Sequence, residues 1–153
     1  IYFPLFWKFT GSLHGEAGYL DDRTSNNIDI DYITFYLGGI KSIRGFDKYD
    51  INGNQQGDTK DRGGERYLQF NAELTFPFAE KYEVAGVFFY DRGDVYRKNE
   101  KIHLTDQFSS IGTGVRWNSP VGPLRLEYGW VLNGKNVKTT WDGQFEFSIG
   151  ATF

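Results

Sequence analysis

The last ten residues, 144–153, alternate strictly between polar or small side chains and apolar ones. Successive side chains of a strand point to opposite faces, so one face here is an apolar stripe formed by Phe145, Phe147, Ile149, Ala151 and Phe153. The opposite face carries Gln144, Glu146, Ser148, Gly150 and Thr152. About ten residues of such alternation is the length that a tilted strand needs to cross a bilayer. The same pattern suits an amphipathic strand of a soluble sandwich, so this segment alone does not distinguish a membrane barrel from a sandwich.

The composition favours a β-protein and is compatible with both a membrane barrel and a soluble protein. The mean hydropathy is -0.52, and no apolar run is long enough for a membrane helix. Aromatic residues make up 18% of the chain and glycine contributes 19 residues, as in barrels with aromatic girdles. The absence of cysteine excludes disulfides and thiolate metal sites, and a net charge of -3 without a basic stripe indicates no nucleic-acid partner.

Five further segments repeat the alternation, so the sequence predicts an all-β, antiparallel up-and-down arrangement of about six strands. The predicted strands cover residues 5–20, 65–78, 83–96, 108–118, 123–132 and 144–153, and one long loop covers 21–64. Within the third strand, Val87 to Tyr90 is apolar on both faces, which indicates that one face packs against something inside. The whole chain, 1–153, is interpreted as one part of a transmembrane β-barrel.

The connections alternate in length. Short, proline-containing ones lie near 77–81 and 119–123, and longer polar ones lie near 97–107 and 133–143. Short turns on one rim and long loops on the other are typical of outer-membrane barrels. Such a barrel turns its apolar stripes toward lipid and its charges toward a wet lumen, whereas a sandwich does the reverse. The loop asymmetry and the repeated segments favour the membrane barrel.

Residues for catalysis are scarce. His14 and His103 show no metal-ligand spacing, and no nucleophile elbow or phosphate loop is present. The stretch Asp47–Gly53 resembles a calcium loop only faintly, because its oxygen ligands and its glycine are out of register. We therefore predict no enzymatic activity, no cofactor and no metal.

The long loop contains the most unusual group, Ile43-Arg44-Gly45-Phe46. A connection of this length inside a compact domain is usually functional or disordered, and its apolar side chains are able to pack. An arginine between glycine and apolar residues suggests a guanidinium that seeks a carboxylate. Glu73, on the polar face of its strand, and Asp91, in the next strand, are the candidates. The alternative is an exposed arginine that contributes little.

At these residues the chain resembles the BamA family of outer-membrane protein assembly factors, over the C-terminal half of their transmembrane barrel. Ile43 to Phe46 is similar to the family's arginine motif in its inward-folding sixth outer loop. Phe89 to Tyr96 resembles an aromatic-Asp-x-Gly-x-Val-aromatic strand, Ser119 to Leu124 resembles its S-P-x-G-P-L turn, and Phe145 to Phe153 resembles its final strand. The matches occur in family order along nearly the whole chain.

The resemblance implies that Arg44 reaches into the lumen and pairs with Glu73 and Asp91. It implies that Gly150 marks an inward kink of the last strand at a lateral seam, through which client outer-membrane proteins are folded into the lipid bilayer. It also implies a bacterial outer-membrane location and accessory assembly lipoproteins. The alternatives are a two-partner secretion or translocation-and-assembly pore of the same superfamily, or a soluble β-sandwich binding module. POTRA domains and the remaining strands are missing from the sequence, so we expect a fragment that self-associates through its open edges.

Overall fold

The computed structural model describes residues 1–20, 34–53, 63–120, 122–135 and 137–150. Its strands pair with their sequence neighbours in one antiparallel sheet, in the order β1-β2-β3-β4-β5-β6-β7. They are β1 (Tyr2–Pro4), β2 (Thr10–Tyr19), β3 (Arg66–Ala79), β4 (Val84–Tyr96), β5 (Phe108–Ser119), β6 (Gly122–Asn133) and β7 (Gly143–Ile149). No helix of these residues is long and apolar enough to cross a membrane. The all-β, up-and-down fold class is confirmed, and a single sheet with this order is not a sandwich.

The strands differ from the predicted segments mainly at the two ends of the chain. The first predicted strand, 5–20, begins only at Thr10, because Trp7 and Lys8 have positive φ angles of 54° and 64° in a 3-10 turn. Before that turn, the short β1 adds a seventh strand that pairs with β2. The last strand ends at Ile149, and residues 151–153 of its predicted range lie outside the described residues. The four middle strands lie within one residue of the predicted bounds.

The short turns lie at one rim of the sheet. A 3-10 turn at Glu80–Tyr82 joins β3 to β4, with Glu83 in the left-handed region at φ 53°. Gly122, at φ 119°, closes the β5–β6 turn, where the Ser119 hydroxyl donates to its carbonyl at 2.6 Å. The connections after β2, β4 and β6 are all longer and lie at the opposite rim. Short and long connections thus alternate as they do in outer-membrane barrels.

One face of the sheet is apolar and exposed, which is the inverse of a soluble protein. On β4, Phe88 is 51% exposed while its neighbours Val87 and Phe89 are buried on the other face. The outward stripes continue across the neighbouring strands with Phe70, Ile111, Val115, Trp117, Leu126, Phe145, Phe147 and Ile149. Apolar patches of this extent mark a surface that meets lipid or another protein. The sheet is therefore a curved wall with an apolar outside and a polar inside.

The inside of this wall is filled by residues 34–53 of the long loop. Four loop residues are buried there: Leu37, Ile43, Phe46 and Ile51. They form one apolar cluster with Val95 of β4, Phe108 of β5 and Val131 of β6. Two isolated bridges, Phe35 with Gly64 and Leu37 with Ile51, give the loop a hairpin-like path. The apolar residues of the loop thus pack against Val95 of β4, and Arg44 of the loop covers Phe89 on the same inner face.

A charge on the outer face of the sheet should destabilise the folded protein in a lipid bilayer. Leu126, near the middle of β6, is 48% exposed on that face, so in a bilayer Leu126→Arg places a guanidinium in hydrocarbon. We expect the free energy of folding into lipid vesicles, measured by urea titration of the full-length protein, to fall by about 2–4 kcal/mol. Thr139→Arg, in an exposed outer loop, is the control. Equal stability of the two variants would argue against a lipid-facing sheet.

Candidate functional site

The loop presents Arg44 to the wall through a tight turn that depends on glycine. Gly38, Gly39 and Gly45 have φ angles of 120°, 85° and 88°, which L side chains rarely adopt. The backbone N–H of Gly39 donates to the carbonyl of Phe46 at 2.8 Å, which closes the turn. The Ser42 hydroxyl ties the same turn together, since it accepts from the N–H of Gly38 and donates to its carbonyl. The turn carries Arg44 at its tip, where only 2% of the residue is exposed.

Asp91, on the inner face of β4, is the main partner of Arg44. The guanidinium donates from Nε and Nη2 to the two carboxylate oxygens, each at 2.7 Å, and the backbone N–H of Arg44 adds a third bond at 3.0 Å. Asp91 also accepts from the Asn71 amide at 2.8 Å, and that amide donates to the carbonyl of Ser42. The carboxylate is fully buried, so this bidentate pair specifies both the depth and the orientation of the loop.

The remaining guanidinium nitrogen of Arg44 joins two further strands. Nη1 donates to Glu73 of β3 at 2.7 Å and to Glu127 of β6 at 2.8 Å. The planar guanidinium also lies over the Phe89 ring, with Cζ 3.6 Å from the ring centroid. One loop side chain therefore contacts β3, β4 and β6 at once, with an aromatic face beneath it.

Two arginines of the wall complete the charge balance around the carboxylates. Arg116 of β5 donates to Glu73 at 2.7 and 2.8 Å and to Glu127 at 2.8 Å. Arg125 of β6 donates to Glu127 at 2.9 and 3.1 Å. The cluster thus has three guanidinium groups and three carboxylates. Burial lowers the pKa of Arg44, but the hydrogen bond and charge of Asp91, with the other two carboxylates, outweigh it, so the pKa lies above its ordinary value.

Two glycines of the wall make room for the loop backbone and for the aromatic ring beneath Arg44. A Cβ at Gly129 of β6 would lie 2.8 Å from the backbone nitrogen of Gly45 and 3.0 Å from the carbonyl carbon of Arg44. A Cβ at Gly112 of β5 would lie 2.1 Å from the ring of Phe89. All three distances are shorter than an ordinary contact of a Cβ atom, so the arginine and its aromatic support need glycine at these positions.

The last strand contacts the same loop. Glu146 of β7 is buried on the inner face at 9% exposure, and its Oε1 has no hydrogen-bond partner among the described residues. Lys138, in the loop before β7, donates to the Gly45 carbonyl at 3.2 Å and to Gln144 at 2.6 Å. Beyond the strand, Gly150 has a positive φ of 71° and donates its N–H to the carbonyl of Pro123 at 2.9 Å.

The structure brings three of the residues singled out from the sequence into one cluster: Arg44, Glu73 and Asp91. It adds Glu127, Arg116 and Arg125 of β5 and β6, which the sequence analysis did not single out. Phe145, Phe147 and Ile149 lie on the exposed outer face of β7, and Phe153 lies outside the described residues. The Asp47–Gly53 stretch, which resembles a calcium loop only faintly in sequence, contains an ordinary turn. In it, the Asp50 carboxylate accepts a hydrogen bond from the N–H of Asp47 at 2.9 Å.

The arrangement is suited to holding a loop rather than to chemistry on a substrate. Every carboxylate of the cluster is paired with at least one guanidinium, which leaves none of them as a general base. Among the described residues, no group of three histidines, cysteines or carboxylates could hold a metal ion. The chemistry is that of a multidentate clamp between a loop and the inner wall of a barrel.

Comparisons with known proteins agree with this geometry. The Omp85 superfamily domain matches residues 1–153. The outer membrane protein assembly factor BamA of Nitratidesulfovibrio vulgaris is 36% identical over 120 residues, which cover 78% of this chain and 15% of that protein. BamA of Neisseria meningitidis serogroup B is 26% identical over 182 residues, covering 99% of this chain and 23% of that protein.

A solved structure shares the fold. The crystal structure of Haemophilus ducreyi BamA lacking POTRA domains 1–3 superimposes with a TM-score of 0.72 and 21% identity, over 96% of this chain and 33% of that one. This chain spans less than a quarter of the length of the two curated relatives. It belongs to the Omp85 superfamily and forms part of the β-barrel of a bacterial outer-membrane protein.

Proposed function

We propose that this chain is the barrel portion of a non-enzymatic insertase that folds client outer-membrane proteins into the outer membrane through a seam at β7. The observation that carries the proposal is the state of the last strand. β7 pairs with β6 along one edge, and its other edge is where the resemblance to the assembly factors implies the lateral seam. An unpaired edge is a template for another strand.

The surroundings of this edge support the same function. Outside it, Phe145, Phe147 and Ile149 form an exposed apolar stripe, so a strand added there would remain beside lipid. In hydrocarbon every backbone polar group needs a partner, and the free edge supplies partners for an incoming strand. The relatives named as outer membrane protein assembly factors support an assembly role for this chain. Client barrels and accessory assembly lipoproteins are its proposed partners. The isolated chain, with an edge open at each end of the sheet, is expected to self-associate.

A crosslinking experiment in the full-length protein tests the proposal. Cysteines at Gln144, Glu146 and Ser148 of β7 are expected to form disulfides with cysteines of a stalled client strand in one antiparallel register. Cysteine at Asn71 of β3, a strand paired on both edges, is the control and should form none. Equal crosslinking at both strands would refute a client site at β7.

Depletion separates this function from that of a secretion pore. Loss of the full-length protein should lower the amounts of many outer-membrane barrels, measured by quantitative proteomics of outer-membrane fractions. Loss of one secreted protein, with barrel levels unchanged, would instead show a two-partner secretion transporter of the same superfamily.

A further inference from the structure

The loop between β4 and β5, residues 97–107, bends over the outer face of the sheet. Phe88 of β4 is exposed on that face, and Arg92 lies on the same face because residues at even spacings along a strand share a side. The guanidinium of Arg92 donates from Nε to the Gln107 side chain at 2.9 Å and from Nη2 to the carbonyl of Leu104. The second half of this loop is therefore attached to the apolar outside of the wall.

Two further residues hold the same loop against the wall. Arg66 of β3 and Tyr96 of β4 have the same outward spacing along their strands. Arg66 donates from Nη2 to three backbone carbonyls of the loop, at 2.6 to 2.7 Å. The Tyr96 hydroxyl accepts from the Gln107 amide at 3.0 Å and donates to the carbonyl of His103 at 2.9 Å. The loop is therefore pre-organised, and a ligand that binds it does not have to order it.

The surface that this loop presents combines apolar and basic side chains. Ile102 and Leu104 are 44% and 64% exposed, and they continue the apolar outer surface of the sheet to its long-loop rim. The basic residues Arg97, Lys98 and Lys101 are exposed in the same segment. Apolar side chains beside basic ones are typical of surfaces that lie at the boundary between headgroups and acyl chains.

The charge of this segment is opposite to that of the whole chain. Residues 97–104 contain three basic side chains and one acidic one, whereas the chain has a net charge of -3. The neighbouring carboxylates are held by other groups. Glu65 and Glu100 accept backbone N–H groups of the loop at 2.8 and 3.2 Å, and Asp106 accepts from the Asn133 amide at 3.1 Å. Basic side chains at a bilayer surface attract anionic headgroups.

We propose that residues 97–104 bind a lipid with an anionic, phosphate-bearing headgroup at the long-loop rim of the barrel. Lys101 contacts the phosphate, and Ile102 and Leu104 contact the acyl chains. Continuity with the apolar outer face favours a lipid over a soluble anion, because a free phosphate ion gains nothing from two apolar side chains. The site needs only a barrel in a membrane, so it is independent of whether the protein inserts clients.

Photo-crosslinking of the full-length protein in lipid nanodiscs tests this site. Phosphatidylglycerol and phosphatidylcholine are compared, each with the same photoreactive acyl chain, and the labelled peptides are mapped by mass spectrometry. We expect the anionic lipid to label residues 97–107 more strongly than the zwitterionic lipid. Lys101→Gln should lower the labelling by phosphatidylglycerol about fivefold, as for the loss of one basic side chain near an anionic surface. Lys101→Arg should retain it.

Lys48→Gln is the matched control, because Lys48 is exposed in the long loop and its replacement changes the charge by the same amount. It should leave the labelling of residues 97–107 unchanged, and so should the addition of inorganic phosphate. Equal labelling by the two lipids in the unmodified protein would overturn the proposal, as would equal losses in Lys101→Gln and Lys48→Gln. Displacement of the lipid by inorganic phosphate would also overturn it, since the site would then bind a free anion.

Discussion

Asp91→Ala is expected to release the loop from the barrel wall. The substitution removes three hydrogen bonds to Arg44. It leaves the buried guanidinium with only Glu73 and Glu127 as carboxylate partners. Breaking a buried ion pair from one side costs about 3–5 kcal/mol, so we expect a loss of that size in the free energy of unfolding. Urea titration of the full-length protein in detergent, read by the loss of its heat-modifiable band on a gel, measures it.

An exposed ion pair of the same chain is the control for Asp91. Glu80 pairs with Lys8 at the short-turn rim, where more than half of each side chain is exposed, and Glu80→Ala should change the stability by less than about 1 kcal/mol. Asp91→Asn keeps the shape of the side chain but removes its charge, and is expected to lie between these values. If Asp91→Ala and Glu80→Ala were equally stable, the cluster would not hold the loop.

Gly129→Leu is expected to exclude the loop by shape alone. The backbone of Arg44 and Gly45 lies within 3.0 Å of the position of a Cβ at Gly129, and a backbone segment has little freedom to move aside. Overpacking of a well-packed interior costs about 1–3 kcal/mol, and the loss of the Arg44 contacts adds to it. The expected result is fast hydrogen exchange throughout residues 37–47, together with a lower urea midpoint.

Gly15→Ala is the matched control for Gly129→Leu. Gly15 lies in β2, and a Cβ there would meet nothing within 4 Å, so its replacement should change the stability by no more than about 0.5 kcal/mol. Slow exchange of residues 37–47 in Gly129→Leu would show that the loop is held without close contact to β6.

The parts of the fold that follow from local periodicity could be predicted. Side chains alternate with a period of two in β3, β5 and β6, so the bounds and outward faces of these strands follow from the sequence. The break at Trp7 and Lys8 could not be predicted, because neither residue is a usual choice for positive φ. The fully apolar stretch from Val87 to Tyr90 indicated an inner partner, and the structure places Arg44 of the long loop over the inward-facing ring of Phe89.

The site was less predictable because its members come from different strands. A polar face shows that Glu127 and Arg116 point inward, but their distance from Arg44 depends on the register of β5 and β6 and on the depth of the loop. The residues opposite each other in that register are often like in charge, Arg116 with Arg125 and Glu127 with Glu146. Pairing rules for adjacent strands therefore do not predict these pairs. Glu127 binds Arg116 and Arg125 of the wall as well as Arg44 of the loop.

The clamp around Arg44 has a consequence for the order of assembly. The three carboxylates that bind this side chain lie on β3, β4 and β6 of the same chain as the loop. The strands β3 to β6 pair in sequence order across connections much shorter than the long loop, so these binding positions form through local hairpin contacts that close quickly. The loop can therefore dock onto this half of the wall before the barrel is closed. The C-terminal part of such a protein would then carry its own folded interior into the membrane, rather than acquiring it after closure.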